Sequence, residues 1–180
     1  MENIFRKIRS KYGFLVLSIA RLSSPKRFDL FCETALLLRS QDIGFIWIGN
    51  QYQPENVPEN VYCLGSIKNA YQYIPLIDLF VLTSNYEGLP VSIIESLVFG
   101  KPVLASNVGG ISEILDGTNG FALDNDPALF VEKILFYRND KERYNAASEA
   151  ARKTYEEKFT VDKMYKKYLA LYQDIVSSNK

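Results

Sequence analysis

Two glutamates eight positions apart, Glu87 and Glu95, carry the chemistry that this sequence suggests most directly. Glu87 comes shortly after a short apolar run, 78–83, that is typical of a buried parallel strand. From Val91 onward the apolar spacing indicates a buried helix, and Pro90 suits the first turn of that helix. We therefore expect Glu87 in a strand-to-helix turn, beside the positive end of a helix dipole.

Glu95 is expected about two turns inside the same helix, where it is the only charge among apolar residues. A lone buried carboxylate is costly unless hydrogen-bond donors satisfy it. Hydroxyl groups of a ligand are suitable donors, and a structural salt bridge to a neighbouring lysine or arginine is the alternative. The helix alone leaves both interpretations open.

Composition is typical of a globular protein with one domain and a substantial core. The chain has 180 residues, of which 47% are hydrophobic and 23% charged. Basic and acidic residues number 21 each, so the formal net charge is zero and nothing argues for a nucleic-acid partner. The sequence has no histidine, the commonest general base and metal ligand. Cys32 and Cys63 form no recognisable motif, which indicates buried thiols in a reducing compartment.

The N-terminal segment 1–13 is basic, and its cations precede the apolar run 14–20. This pattern imitates a signal peptide, but the run is short and Arg21 closes it without a small-residue cleavage site. A buried first strand fits better, and no stretch is long and apolar enough to span a membrane. Segment 4–9 is compatible with a small amphipathic helix that touches anionic lipid, whereas a solvated linker is the preferred interpretation.

Strand and helix patterns alternate along residues 14–180. The alternation predicts an α/β fold: a doubly wound, Rossmann-like parallel sheet with helices on both faces and a helical C-terminal tail. The predicted strands are 14–20, 43–48, 61–64, 78–83, 103–105 and 121–123. The predicted helices are 27–39, 69–73, the helix after Pro90, 112–115, 127–137, 141–158 and 161–176.

Candidate residues gather at the predicted carboxyl ends of the strands, where such sheets bind their ligands. Arg21 directly follows the first strand, and Lys26 comes five residues later. Glu87 follows the fourth strand, and the pair Gly109-Gly110 follows the fifth. The sequence therefore predicts a binding site at this edge of the sheet.

Several fragments, taken in order, resemble a known family. The Glu-x7-Glu pattern is accompanied by the fragments 18–22, Lys26, 100–106, 108–114 and 116–121. Together they resemble the C-terminal, donor-binding half of retaining, nucleotide-sugar-dependent glycosyltransferases of group 1, which have the two-domain GT-B fold. Each fragment alone is a weak signal, but their order and spacing over roughly residues 14–172 are specific.

The resemblance implies roles for individual residues. Arg21 and Lys26 would hold the donor diphosphate and stabilise it as it leaves; without the resemblance both are simply solvated loop cations. Glu95 would accept hydrogen bonds from the ribose, and Glu87 would contact the reacting face of the donor sugar. Backbone groups at the helix N-terminus would approach sugar and phosphate, and the base would lie near 66–68. The donor-binding set thus also includes Ile67, Gly88, Leu89, Pro90 and Val91.

A possible metal motif has a structural explanation. Residues 124–126 have the Asp-x-Asp form that binds metal in a different transferase fold. Asp126, however, directly precedes Pro127 and an apolar helix, which predicts an N-cap. The resemblance likewise implies no metal and no cofactor, the co-substrate being a UDP- or GDP-sugar.

The sequence departs from the family pattern at several points. Pro90 stands where many relatives have glycine, Asn107 stands where aspartate is common, and 49–51 lacks the second glycine of the usual turn. Relatives are about twice as long, with two domains of ordinary size, which implies that an N-terminal acceptor-binding domain is absent from this chain. The last helix has an apolar stripe, Met164, Tyr165, Tyr168, Tyr172 and Ile175. Packing of this stripe on its own domain is the preferred interpretation, and docking on the absent domain is the alternative.

The function implied is that of the donor-binding half of a retaining transferase of hexosyl type, acting in bacterial surface polysaccharide synthesis. It would work in the cytoplasm, with peripheral contact at the inner face of the membrane as a further possibility. Two alternatives stay open: a nucleotide-sugar epimerase of the same fold, and a non-catalytic nucleotide-sugar-binding or scaffolding protein. The combination of 21–26 with Glu-x7-Glu favours the transferase over the epimerase.

Overall fold

Six parallel strands form the centre of the molecule, in the order β3-β2-β1-β4-β5-β6, in a computed structural model that describes residues 1–178. The strands are β1 (Phe14–Ile19), β2 (Ile43–Ile48), β3 (Val61–Cys63), β4 (Leu79–Leu82), β5 (Val103–Ser106) and β6 (Gly120–Leu123). The helices are α1 (Glu2–Arg9), α2 (Phe28–Leu37), α3 (Val91–Val98), α4 (Ile111–Ile114), α5 (Pro127–Arg138), α6 (Lys141–Lys158) and α7 (Val161–Ser178). Two 3₁₀ segments lie at Ser24–Lys26 and Ala70–Leu76.

The two faces of the sheet carry separate hydrophobic cores, because successive side chains of a strand point to opposite sides. Leu15 and Leu17 of β1 pack in one core with residues of α1, α3 and α4. Val16, between them, packs in the other core with residues of α2 and α5. Strands covered on both faces explain the continuous apolar runs of the sequence. The predicted fold class, a doubly wound Rossmann-like sheet with a helical tail, is confirmed.

The strand order places a topological switch point between β1 and β4. From β1 the chain moves outward through β2 to β3, then returns to β4 on the other side of β1. The β1–β4 pair is parallel, with Val16 opposite Leu79 and Leu17 opposite Phe80. Open sheets bind their ligands in the crevice at such a point, beyond the carboxyl ends of the strands.

Most predicted elements occur within a few residues of their expected bounds. The strand Ile43–Ile48 and the helix Lys141–Lys158 match the prediction at both ends. The expected helix at 69–73 is a 3₁₀ segment that continues to Leu76. Pro90 lies at the N-cap of α3 rather than inside its first turn, so the helix begins at Val91.

The N-terminal segment differs from the solvated linker that we expected. Glu2–Arg9 forms helix α1, and two of its side chains, Phe5 and Ile8, are only 2% exposed. Phe5 stacks on Tyr73 with a distance of 5.3 Å between ring centroids. The spacing of three residues puts both apolar side chains on one helix face, which packs against the core.

The C-terminal helix is exposed over residues 161–177. Every residue from 161 to 177 is exposed, so the expectation that α7 packs on its own domain is wrong. Residues 179–180, the end of the predicted domain range 14–180, lie outside the described residues. Among the helices of residues 1–178, none combines the length and the apolar character needed to cross a membrane.

Candidate functional site at the switch point

The two loops at the switch point meet through an ion pair. Lys26 Nζ lies 2.5 Å from Glu87 Oε1, and the hydroxyl of Ser84 donates to the same oxygen at 2.5 Å. Glu87 is 8% exposed, and the side chain of Lys26 is 26% exposed. Both side-chain hydrogen bonds of the Glu87 carboxylate within residues 1–178 end on the same oxygen, Oε1.

Local sequence positions the two partners of this pair. Lys26 ends the 3₁₀ turn that begins at Ser24, with Pro25 in its first turn. Glu87 lies in the turn between β4 and α3, as predicted. Two further hydrogen bonds join these loops: Asn85 N–H donates to Pro25 O at 2.8 Å, and Thr83 Oγ1 donates to Lys26 O at 3.2 Å.

A glycine after β5 allows a third loop to reach the same place. Gly109 has a φ of 58°, in the left-handed region that favours glycine. A Cβ at this position would overlap the carbonyl oxygen of Glu87. The turn after β5 can therefore pass the Glu87 backbone only because residue 109 has no side chain.

A polar network beneath Glu87 was not predicted from the sequence. Ser84 N–H donates to Ser106 Oγ at 2.8 Å, and Ser106 Oγ donates to Asn125 Oδ1 at 2.5 Å. Asn125 Nδ2 donates back to Ser84 O at 3.1 Å. The network ties the carboxyl ends of β4, β5 and β6 together. Its only signal in the sequence is that each of the three residues ends or follows a predicted strand.

Glu95 stands apart from the ion pair. It lies half-buried on α3, and within residues 1–178 it makes neither an ion pair nor a side-chain hydrogen bond. Burial raises the pKa of the Glu95 carboxyl. The salt-bridge interpretation of this residue is therefore wrong for the described part of the chain.

The remaining predicted donor-binding residues are distributed around this edge of the sheet. Arg21 is exposed, and its side chain makes no hydrogen bond or ion pair with residues 1–178. Leu89 and Val91 are 61% and 65% exposed, and Pro90 between them is buried. The structure thus brings Lys26 and Glu87 into direct contact and leaves the other predicted residues without hydrogen bonds to that pair.

The region predicted to hold the base is fixed by Asn50. Its Oδ1 accepts the N–H of Gly65 at 2.7 Å, and Gly49 N–H donates to Gly65 O at 2.8 Å. These bonds join the ends of β2 and β3. A Cβ on Gly65 would meet no atom within 4 Å, so the surface beside it is open. Ile67, two residues later, is half-buried.

The Asp-x-Asp motif is a helix cap. Asp126 Oδ1 accepts the N–H of Ala128 at 2.9 Å, and Pro127 is the first residue of α5, which confirms the predicted N-cap. In the described part of the chain, no three His, Cys, Asp or Glu side chains are grouped so that they could hold a metal ion.

Comparisons with known proteins show the family of the chain. The family model described as glycosyl transferases group 1 matches residues 13–140. The O-antigen biosynthesis glycosyltransferase WbnH of Escherichia coli is 32% identical over 145 residues, which cover 75% of this chain and 42% of WbnH. The chain spans less than half the length of the curated relatives it matches, with coverage of 42%, 47% and 35% in three of them.

Solved structures share the fold. A mutant of TarM from S. aureus, in a complex that includes UDP, superimposes with a TM-score of 0.77 at 27% identity, covering 88% of this chain and 35% of that one. HepE of Anabaena in complex with UDP superimposes with a TM-score of 0.82 at 21% identity, covering 97% of this chain and 53% of that one. At that lower identity the second likeness concerns the fold alone.

Proposed function

The chain belongs to the glycosyl transferases group 1 family, and we propose that it is the donor-binding half of a retaining glycosyltransferase. The enzyme moves a sugar, of hexosyl type, from a nucleotide diphosphate sugar to a glycan or lipid-linked acceptor. The observation that carries the proposal is the Lys26–Glu87 ion pair of 2.5 Å at the switch point of the sheet. The names of WbnH, an O-antigen glycosyltransferase, and of a poly(ribitol-phosphate) transferase of Staphylococcus aureus support bacterial surface polysaccharide synthesis as its setting.

Lys26 and Arg21 provide the positive charge that the leaving group needs. When the bond between the sugar and the diphosphate breaks, its electron pair stays on the diphosphate, which gains negative charge. A lysine supplies a movable point charge and an arginine a bidentate fork for phosphate oxygens. Cations fixed where charge develops lower the barrier of the step. We infer that these two side chains take this role without a metal ion.

The two glutamates contact different parts of the donor. Glu87 is held on one oxygen by Lys26 and Ser84, which leaves Oε2 for a hydroxyl of the donor sugar. Glu95 is half-buried and unpaired among residues 1–178, and it accepts hydrogen bonds from the ribose hydroxyls. The backbone of 88–91 approaches the sugar and phosphate, and the base lies beside Gly65 and Ile67, where the surface is open.

Titration calorimetry in EDTA tests donor binding by the isolated chain. UDP or GDP should release heat without added metal. Arg21→Ala should weaken the binding of UDP far more than the binding of uridine, whereas Glu95→Ala should weaken the binding of both ligands in similar proportion. Each loss should be about ten- to a hundredfold, the value of a hydrogen bond to a charged group. Absence of heat with every nucleoside diphosphate up to millimolar concentration would contradict the proposal.

Matched controls separate the site from general effects of charge. Arg39→Ala removes an exposed arginine two residues beyond the end of α2, and Glu149→Ala removes an exposed glutamate on α6. Neither substitution should change the affinity for UDP. If either weakens binding as much as Arg21→Ala does, the binding reports net charge rather than a defined diphosphate site.

We propose that the acceptor is held by an N-terminal domain outside this chain. Retaining transfer needs the acceptor hydroxyl on the face from which the diphosphate leaves, and such positioning can supply several kcal/mol of the barrier. The exposed apolar stripe of α7 is available to contact that domain. The 180-residue chain alone should transfer no sugar, and adding the N-terminal domain of a relative, fused or in trans, should give activity. Robust transfer by the purified chain alone would overturn this arrangement.

We further propose peripheral contact with the inner face of the membrane, which the exposed residues of α1 support. Its buried face is occupied by Phe5 and Ile8, while Arg6, Lys7 and Ile4 are exposed. Basic residues beside exposed apolar ones suit an anionic lipid surface. Sedimentation with vesicles of phosphatidylglycerol should retain the chain at low salt, and vesicles of phosphatidylcholine should not. Equal behaviour with both lipids would contradict this contact.

A further inference from the structure

Arg27, the residue directly after Lys26, has a strained backbone. Its φ of 37° and ψ of 51° lie in the left-handed region, where a side chain on Cβ crowds the following carbonyl. Within residues 1–178, the other non-glycine residues with positive φ are Asn56 and Asn69, and asparagine tolerates this conformation. An arginine does not share that tolerance, so contacts elsewhere must hold it.

The guanidinium of Arg27 makes those contacts. Its Nε donates to both carboxylate oxygens of Asp29 at 2.8 and 3.0 Å, and its Nη2 lies 2.8 Å from Asp29 Oδ2. The pairing raises the pKa of Arg27 and lowers the pKa of Asp29. In addition, Nη1 donates to Asn85 Oδ1 at 3.3 Å. Arg27 therefore links the first turn of α2 to the loop after β4.

Asn85 extends this link to the other side of the site. Its Oδ1 also accepts from Asn125 Nδ2 at 3.2 Å, and its N–H donates to Pro25 O at 2.8 Å. The loops after β1, β4 and β6 are thus joined at one side chain. Lys26 lies between two of these attachments, and its own carbonyl accepts from Thr83 Oγ1.

We propose that Arg27 is a positioning residue: its left-handed turn and its bond to Asn85 aim the Lys26 ammonium at Glu87 and at the donor diphosphate. The turn at residue 27 fixes how the Lys26 peptide joins α2, and the bonds of Pro25, Lys26 and Arg27 to the loop after β4 hold the Lys26 backbone on both sides. Arg27 itself pairs with Asp29 and Asn85 and contacts neither member of the ion pair. The part of this inference that concerns the diphosphate rests on the proposed function. The part that concerns the orientation of Lys26 toward Glu87 does not depend on it.

Lysine reactivity tests the inference without any ligand. The variants are Arg27→Gly, which accepts the left-handed turn but lacks the guanidinium, and Asn85→Ala, which removes its partner. Asn56→Gly is the matched control, since it frees another exposed left-handed position away from Lys26. Acylation of each lysine by an amine-specific reagent is followed by mass spectrometry, with the exposed Lys141 as internal reference.

Acylation of Lys26 should be faster in Arg27→Gly and in Asn85→Ala by about two- to tenfold, the equilibrium value of one hydrogen bond. It should be unchanged in Asn56→Gly, and the melting temperature of Arg27→Gly should not fall, because glycine relieves the turn. An unchanged rate in Arg27→Gly, or an equal rise in Asn56→Gly, would overturn the role of Arg27.

A second arm uses UDP and uridine as probes. Arg27→Gly should weaken the binding of UDP by about two- to tenfold and leave the binding of uridine unchanged. A general loss of stability would weaken the binding of both. If the unaltered chain binds no UDP, the proposed function fails while the acylation experiment still decides whether Arg27 positions Lys26. If UDP binds equally well to Arg27→Gly, Arg27 does not position Lys26 toward the diphosphate.

Discussion

The two ends of the β1–β4 strand pair each carry a short ion pair, and the two pairs are built differently. At the amino end, Arg9 Nη1 lies 2.6 Å from Asp78 Oδ2. At the carboxyl end, Lys26 Nζ lies 2.5 Å from Glu87 Oε1. Both acids lie on loops that adjoin β4, and both cations come from segments that adjoin β1.

Backbone hydrogen bonds distinguish the two pairs. At the amino end, Asp78 Oδ2 also accepts the N–H of Leu15 at 2.7 Å, and Arg9 donates to the carbonyl oxygens of Gly13 and Leu76 at 2.9 and 3.0 Å. These bonds fix α1 to the sheet. At the carboxyl end, Glu87 is bonded only to the side chains of Lys26 and Ser84 among residues 1–178. A pair held by side chains alone can exchange its partners for those of a ligand, whereas the other pair is part of the scaffold.

The substitution expected to have the largest effect on the carboxyl-end pair is Glu87→Ala. In the chain completed with an N-terminal domain, we expect transfer to fall by about a hundredfold or more, because an interaction aimed at the reacting sugar is lost. The free energy of unfolding should fall by about 1–2 kcal/mol, because the buried Ser84 hydroxyl loses its acceptor, and the variant should still fold, since Lys26 is 26% exposed and can turn toward water. Steady-state kinetics and urea unfolding measure the two effects. A variant that unfolds but keeps its activity would make Glu87 a second scaffold residue.

The opposite substitution is Asp78→Ala, which should destabilise the fold by about 2–3 kcal/mol because it leaves the Leu15 N–H without its acceptor and Arg9 without its counter-ion. Affinity for UDP should not change at temperatures where the variant is folded. Asp78→Asn is the matched control, since its amide oxygen can still accept from Leu15 and should retain part of the stability. Loss of UDP affinity in the folded Asp78→Ala variant would contradict the division between the two ends.

The sequence predicted the scaffold better than the site. Alternating apolar runs and helical spacing were sufficient to predict the six strands and the fold class, because burial of whole elements leaves a periodic pattern. For segment 4–9 the solvated linker was preferred over the amphipathic helix, and the preference was wrong, because the few apolar residues of this basic segment give no clear period. The environment of α7 was also predicted wrongly, because spacing shows that a helix has an apolar face and does not show what covers it.

Within the site, the charged residues were predictable and their support was not. Lys26 and Glu87 were predicted from strand ends and from the family resemblance, and the structure shows them in contact. Ser84, Ser106 and Asn125 are small polar residues with no distinctive spacing, and only the three-dimensional approach of β4, β5 and β6 shows that they form one network. The roles of Arg21, Lys26, Glu87 and Glu95 toward the donor all stay predictions.

Asp126→Ala tests whether Asp126, which follows the carboxyl end of β6, has a structural role or a role in ligand binding. Loss of this N-cap should lower the free energy of unfolding by about 1 kcal/mol. Affinity for UDP should stay the same in EDTA and in added Mg²⁺, because Asp126 caps α5 and faces no phosphate in our proposal. Asp126→Asn, which keeps a capping oxygen, should be close to the unaltered chain in stability. A metal-dependent loss of UDP affinity in Asp126→Ala would instead support the metal motif.

The smallest effect concerns Glu95, a carboxylate at the functional end with no partner in the described part of the chain. Burial raises the pKa of Glu95 above its ordinary value of 4.5, so in the window between the two values the folded chain binds more protons than the unfolded chain. The free energy of unfolding therefore falls as the pH rises through that window and stays lower above it. Glu95→Gln removes this loss of stability. At pH 7 the variant should be more stable than the unaltered chain by less than about 1 kcal/mol, because solvent screens the half-buried charge.

The same substitution should weaken uridine binding, since a neutral amide is a poorer acceptor for ribose hydroxyls than a carboxylate. For the unaltered chain, uridine affinity should also decline as the pH falls through the raised pKa of Glu95, because protonation removes the same acceptor charge. Urea unfolding at pH 4 and pH 7, with uridine titrations at both, measures the two effects together. A gain in stability paired with a loss of affinity is the behaviour of a group kept for a ligand. A Glu95→Gln variant that is less stable at pH 7 and binds uridine normally would place Glu95 with Asp78, among the residues that hold the scaffold.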